Sequence, residues 1–383
     1  MGIYLDYNAS APIDDRVLDT MIKVYRNNYG NADSRTHDYG DQARKLVENA
    51  RKQVASILDI NADEVFFTSG ATESNNIAIQ GLEQYGNKSG KKHVITTSIE
   101  HKAVLESVKK LGEKGFDVEF VKPEGNGQIS EDKILSRVRE DTLLVSVMHV
   151  NNETGIIQPI EQLGRKLSDC GVLFHIDATQ SFGKMVEELK SMQYNMLSMS
   201  AHKIRGPQGV GALILRRQNY KLPPVKAIMF GGKQEHGIRP GTIPVALVAG
   251  LGKACELAEN EYKVNYVKNM RIKEIILQLL EDSGVAYQIN GDQEHCISNT
   301  LNICLMGVSS EALMLATKQY CGISNGSACN SDSYNPSYVL SEMGIPKDKI
   351  ENSIRISWGA DMEFNELKES FGRLLQIAAE FIW

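Results

Sequence analysis

Seven short β-rich runs separated by helical patterns, all between about residue 60 and residue 215, constrain this 383-residue chain more than any other feature. They are EVFFTS (64–69), HVITTS (93–98), DVEFV (117–121), LLVSVMHV (143–150), VLFHID (172–177), NMLSMS (195–200) and VGALIL (210–215). Such alternation predicts a largely parallel sheet with helices on its faces, because a parallel neighbour is reached only through a crossover long enough to hold a helix. Several runs are apolar nearly throughout, as strands buried on both faces must be. In DQARKLVENARKQVASIL (41–58), Ala43, Leu46, Val47, Ala50, Val54, Ile57 and Leu58 fall at three- and four-residue spacing, which predicts a helix laying one stripe on that sheet.

The length leaves room for a second unit. An apolar helix begins over Val245–Ala258, continues as a charged helical stretch through Glu281, and reads as a connector. Beyond it, NTLNICL (299–305) and SIRISW (353–358) predict strands of a βαβ-like region, with helices near 310–319 and 362–380 and the first dozen residues joined to it. The expected organisation is a large α/β domain over 14–255 and a smaller α+β domain from 1–13 and 256–383. With 42 basic and 48 acidic residues the net charge is −6, which argues against direct nucleic-acid binding through phosphate neutralisation. No run of 18 apolar residues occurs and MGIYLD has no leader pattern, so a cytoplasmic protein without membrane attachment is expected. The six cysteines, Cys170, Cys255, Cys296, Cys304, Cys321 and Cys329, form no C-x-x-C pair and read as reduced thiols. All but Cys329 are expected to fill the core.

Ligands of open α/β sheets sit outside the carboxyl ends of the strands, and four polar segments follow strands here. In TSGATES (68–74), Gly70 permits a tight turn and a helix opens near Glu73, so the amides of Ala71 and Thr72 and the Thr72 hydroxyl make either an anion site or a plain helix cap. In HIDATQS (175–181), Asp177 ends a strand with Gln180 three residues on; its carboxylate could bind a metal with His175, pair with a protonated ring nitrogen, or cap a helix. In MSAHKIRGPQG (199–209), Ser200, His202 and Lys203 follow a strand, and a lysine so flanked is a candidate Schiff-base amine rather than a surface charge. In SIEHKAVLES (98–107), His101 stands at a helix start, where it caps the helix or stacks on a planar ligand. Phosphate, ring nitrogen, aldehyde carbon and ring face are the features of pyridoxal 5'-phosphate that a protein must hold, and each has a partner among these residues.

The motifs SGATESNN, EHKAVL, MHVNNETG, HIDATQS, SAHK, RPGT and NGSACNS, in this order, with YLDYNASAP near the start and RISWG near the end, resemble the cysteine desulfurases of the NifS/IscS type. That resemblance implies the fold of class V aminotransferases: a fold type I, aspartate aminotransferase-like α/β domain with a mostly parallel sheet, plus a smaller α+β domain carrying the cysteine loop. It implies that Lys203 bonds the cofactor aldehyde, Asp177 pairs with the ring nitrogen and His101 stacks on the ring. By the same resemblance Asn152 and Gln180 contact the ring oxygen, Ala71, Thr72, Ser200 and His202 hold the phosphate, and Thr242 reaches the phosphate in a neighbouring subunit, making a homodimer part of the site. No metal is implied.

Arg355 alternates with the apolar Ile354 and Ile356, so it faces away from the core, either as an exposed strand residue or, with Asn152, as a grip on a substrate carboxylate. Cys329 is embedded in Gly, Ser, Asn and Asp rather than in an apolar run and reads as a solvent-reachable loop thiol. A thiol of ordinary pKa is only a few per cent thiolate near neutrality, so the site must lower that pKa or supply a base, for which His101 is the candidate. The implied reaction takes sulfur from L-cysteine, leaves L-alanine and a Cys329 persulfide, and passes the sulfur to an acceptor protein serving DNA phosphorothioation, iron–sulfur assembly or tRNA thiolation. The rival readings are a selenocysteine lyase or an aminotransferase on the same fold, and a non-catalytic sulfur carrier.

Overall fold

A computed structural model describes residues 2–326 and 336–381. In chain order its strands are β1 (Ile3–Tyr4), β2 (Val65–Thr68), β3 (His93–Thr97), β4 (Asp117–Val121), β5 (Thr142–Met148), β6 (Leu173–Asp177), β7 (Met196–Ser200), β8 (Gly211–Leu215), β9 (Tyr287–Ile289), β10 (Thr300–Leu305), β11 (Cys321–Gly322) and β12 (Ser353–Ser357). The seven runs of the sequence form one sheet in the order β2-β8-β7-β6-β5-β3-β4. All its strands share one direction except β8, which runs antiparallel to both β2 and β7.

Alternation across the pleat explains why the central strands read as unbroken apolar runs. Phe66, Val94, Leu144, Met196 and Leu213 enter the core on one face of the sheet. Their neighbours Phe67, Ile95, Val145, Leu197 and Ile214 enter the larger core on the other. Edge strand β4 is only partly buried, as a strand covered on one side should be. The helix expected from residue 41 covers Asp38–Leu58 and turns Ala43, Val47, Ala50 and Val54 into the larger core.

One helix of 38 residues, Val245–Asp282, ties this core to a second one. Its first turns pack so closely on the Asp38–Leu58 helix that a β-carbon at Gly252 would lie 2.7 Å from Ala50 Cβ. Its last turns place Ile272, Ile275, Ile276 and Leu280 among Leu301, Ile303, Ile354, Ile356, Trp358 and Phe371. Ile3 and Leu5 join this second core, and β1 pairs with β11 in parallel. The βαβ-like expectation is corrected here: β12, β10 and β9 form an antiparallel sheet. Among the described residues three helices and β11 intervene between β10 and β12, and the chain re-enters the sheet reversed.

Because β2, β3, β5, β6 and β7 point the same way, their carboxyl ends open on one side. Each is followed within six residues by a segment that the sequence marked as chemical, and β1 with the chain after it crosses in front of them.

Candidate active site

The residues of the expected anion site stand at the exit of β2. Gly70, at φ +151°, leads into the Ala71–Gln80 helix, which starts two residues before the expected Glu73. The amides of Ala71 and Thr72 therefore lie in the first helical turn, whose N–H groups have no intrahelical acceptor. Strand β8 passes directly beneath: a β-carbon on Gly211 would come within 2.7 Å of Gly70 Cα. Glu73 pins the turn, accepting the Ser69 N–H at 2.5 Å and the Arg239 Nε–H at 3.0 Å.

Asp177 is the last residue of β6 and is 4% exposed. Asn75 Nδ2 donates to its Oδ2 at 2.8 Å, while Thr179 donates its N–H at 3.0 Å and also its hydroxyl to Oδ1. A carboxylate offers about four acceptor positions, so three donors leave one for a group in the cavity. His175, two residues earlier, is not a partner for a metal at Asp177. Its Nδ1 is 2.8 Å from Ser146 Oγ and its Nε2 is 3.0 Å from Ser198 Oγ, and burial lowers its pKa to about 4.

His101 does two things at once. It caps the Lys102–Glu113 helix, accepting the Ala103 N–H on Nδ1 at 3.1 Å, and its ring also forms cavity wall. Burial holds its pKa below the usual imidazole value against the pull of Asp177, so a neutral ring with its proton on Nε2 is favoured. Past the end of β7, Lys203 Nζ donates to the carbonyls of Asn8 and, at 2.8 Å, Ala9. His202 Nδ1 sits 3.3 Å from Ser10 Oγ, and burial lowers its pKa to about 4.

Asn8 is a hub that sequence reasoning left without a role. Its amide donates to Asn152 O at 3.2 Å and Thr300 Oγ1 at 3.0 Å, and its carbonyl accepts from Gln180 Nε2 at 3.0 Å as well as from Lys203. Gln180 Oε1 and Asn152 Oδ1 are buried in the same wall without a hydrogen-bond partner. Two unsatisfied acceptors beside one cavity mark where a donor is to be supplied.

Arg355 does face away from Ile354 and Ile356, but it is 3% exposed, not the open strand residue of the alternative reading. Its Nη1 donates to Asn152 O at 3.0 Å and its Nη2 to Asp6 Oδ1 at 2.6 Å, while Nε is buried with no partner. Burial raises the Asp6 carboxyl above its ordinary pKa in spite of Arg355. Glu100 and Glu153 escaped sequence reasoning because each lies beside a residue already singled out by its motif. Burial pushes Glu100 up to about 8 and Glu153 up to about 7.

A cavity of about 1040 Å³ brings together Ala71, Thr72, His101, Asn152, Asp177, Gln180, Ser200, His202, Lys203 and Arg355. Thr242 is exposed and lies outside it. Cys329 lies outside the described residues, yet Gly326, Pro336, Ser337 and Tyr338, on either side of it in the chain, line the cavity. Of the other cysteines, Cys255, Cys304 and Cys321 are buried as core filler, Cys296 is partly buried, and Cys170 is exposed at the end of the Ile160–Asp169 helix, contrary to expectation. The cavity thus brings helix N-terminal amides, a guanidinium, an amine and a carboxylate together.

The model of the aminotransferase class-V family matches residues 3–369. The cysteine desulfurase IscS of Anaeromyxobacter dehalogenans (strain 2CP-C) is 43% identical over 359 residues, 93% of this chain and 87% of the relative. Among solved structures, a NifS-like protein superposes with a TM-score of 0.91 at 34% identity, covering 99% of this chain and all of the other. DndA from Streptomyces lividans does so with a TM-score of 0.81 at 41% identity, covering 92% and 98%. With the family model spanning nearly the whole chain and such identity along it, the chain belongs to the aminotransferase class-V family, as one of its NifS/IscS-type cysteine desulfurases.

Proposed function

We propose that this cavity holds pyridoxal 5'-phosphate and L-cysteine side by side and that Cys329 receives the substrate sulfur. The observation that carries the reading is the convergence of Lys203, Asp177, His101 and Arg355 on one cavity. The residues fit the cofactor: Gln180 and Asn152 line the cavity with side-chain oxygens that still lack a partner, and one acceptor position on Asp177 is left for a ring N–H. When bound, the cofactor supplies an electron sink that lets the α-carbon of an amino acid carry negative charge.

The chain's own residues do the rest. Ala71, Thr72, Ser200 and His202 hold the phosphate, and Thr242 reaches it from a neighbouring subunit of a homodimer. Asp177 keeps the ring nitrogen protonated through a charge-assisted hydrogen bond, roughly 1.5–3 kcal/mol. Lys203 Nζ would hold the cofactor at its aldehyde and is placed to remove the substrate α-proton. Arg355 orients the substrate carboxylate through Nε, beside Asn152. Neutral His101 is suited to accept the Cys329 thiol proton. The resulting thiolate forms a new S–S bond with the substrate sulfur as the Cβ–Sγ bond breaks; the electron pair stays with Cβ, which takes a proton, a proton returns to Cα from Lys203, and L-alanine leaves. The persulfide then passes to an acceptor protein by thiol exchange, a chemistry suited to a reducing cytoplasm. Among the described residues no helix is long and apolar enough to cross a membrane.

Reconstituting the protein with pyridoxal 5'-phosphate tests the cofactor assignment. The wild type should take on the yellow absorbance of a lysine-bound cofactor and Lys203→Ala should not. The same spectrum in both would refute the role of Lys203.

A further inference from the structure

The chain leaves the described structure at Gly326 and returns at Pro336, and both margins meet one buried carboxyl group. Gly326, at φ +88°, lies so close to Glu153 that a β-carbon there would fall 2.4 Å from Glu153 Oε2. On the returning side the Ser337 hydroxyl donates to the same Oε2 at 2.5 Å. That hydroxyl also accepts the Leu340 N–H at 3.1 Å and so caps the Tyr338–Glu342 helix.

Glu153 is itself held rigidly. Asn151 Oδ1 accepts its N–H at 2.9 Å, its carbonyl accepts Asn302 Nδ2 at 3.1 Å, and the residue is 2% exposed. The margins are tied to the cavity by two further contacts. Ser324 and Arg355 exchange backbone hydrogen bonds, N–H to O at 3.2 Å and 2.5 Å, and the Tyr338 hydroxyl donates to Glu100 O at 2.5 Å.

We infer that Glu153 is a positioning residue for sulfur transfer: its carboxyl group holds Ser337, where the chain returns after Cys329, against the cavity wall, with Gly326 packed close to the same oxygen. This rests on the reading that Cys329 receives the sulfur. Glu153 needs no contact with substrate or cofactor for this. Its carboxyl bonds the Ser337 cap while its main chain is held by Asn151 and Asn302, so loss of the Ser337 bond frees one margin without altering Lys203, Asp177 or His101. A role confined to transfer then separates from a role in the pocket at large, because removal of the α-proton precedes the arrival of sulfur on Cys329.

The test uses the holoenzyme in a single turnover with L-cysteine, trapping the persulfide on Cys329 by rapid alkylation. Ser337→Ala should slow its appearance by about tenfold, the effect of losing one buried hydrogen bond. Ser337→Thr, which keeps the hydroxyl, should restore the rate. Adding Ser337→Ala to Glu153→Leu should slow the step no further than Glu153→Leu alone, because both remove the same bond. Should Glu153→Leu not fold, the Ser337 pair decides. In a Cys329→Ala background, Ser337→Ala should leave α-proton exchange between cysteine and solvent unchanged. An unchanged transfer rate in Ser337→Ala, an equal loss in Ser337→Thr, or slowed α-proton exchange would overturn the inference. Absence of any persulfide on Cys329 in the wild type would instead overturn the underlying reading.

Discussion

Arg355→Lys isolates what the guanidinium does for the substrate. Arg355→Ala is a poorer experiment, since it would strand Asp6 as a buried carboxylate without its partner, a loss of about 3–5 kcal/mol in stability that would confuse any kinetic result. Lysine can keep the Asp6 pair but has no planar fork. In the wild type, Nη1 and Nη2 each commit one N–H, to Asn152 O and Asp6 Oδ1, while the buried Nε–H has no partner and is open to a carboxylate. Losing one charge-assisted hydrogen bond costs about 1.5–3 kcal/mol. At about 1.4 kcal/mol per tenfold, the Michaelis constant for L-cysteine should rise roughly 10- to 100-fold, with much less change in the rate at saturation. Alanine production across a cysteine titration measures both, and the melting temperature reports whether the fold is intact. Cysteamine, which has the amine and thiol but no carboxylate, should compete equally well in both proteins. An unchanged Michaelis constant in a folded variant, or an equal loss of affinity for cysteamine, would refute the reasoning.

Two further outcomes follow from buried groups and from the subunit arrangement. Burial raises Glu100 from the ordinary 4.5 to about 8. The folded protein therefore keeps a proton that the unfolded chain releases, and stability should fall as pH rises from about 4.5 to about 8. Glu100→Gln cannot ionise, so its melting temperature relative to wild type should climb between about pH 5 and pH 8; parallel curves would contradict the burial argument. Thr242→Val should leave the proposed dimer intact, as read by sedimentation, while cofactor release becomes about fivefold faster, the worth of one hydrogen bond near 1 kcal/mol. Equal release rates would remove Thr242 from the phosphate site.

Much of the frame was legible because it obeys short-range rules. The seven strand runs and the 3.6-residue stripe from Ala43 to Leu58 are periodic signals, and the residues after β2, β3, β6 and β7 inherit their place from strand direction alone. The antiparallel course of β12 against β10 was not legible, since the return path between them leaves no periodic trace. Asn8 and Asp6 were missed for a related reason. Their partners, Lys203, Gln180, Asn152 and Arg355, stand 144 to 349 positions away in the chain, and only the folded crossing of the N-terminal segment joins them. Arg355 was placed on the correct face by alternation, but alternation could not register that Asp6 and the backbone at Asn152 would close over it. Cys170 sits in no apolar run, and its exposure follows from its place at a helix end.

The account turns on where the substrate sulfur goes. Holoenzyme mixed once with L-cysteine and then quenched should yield one alanine for each sulfur atom added to the peptide bearing Cys329, and Cys329→Ala should yield neither under the same conditions. Alanine released at the wild-type rate with no sulfur on that peptide, or undiminished turnover in Cys329→Ala, would contradict it.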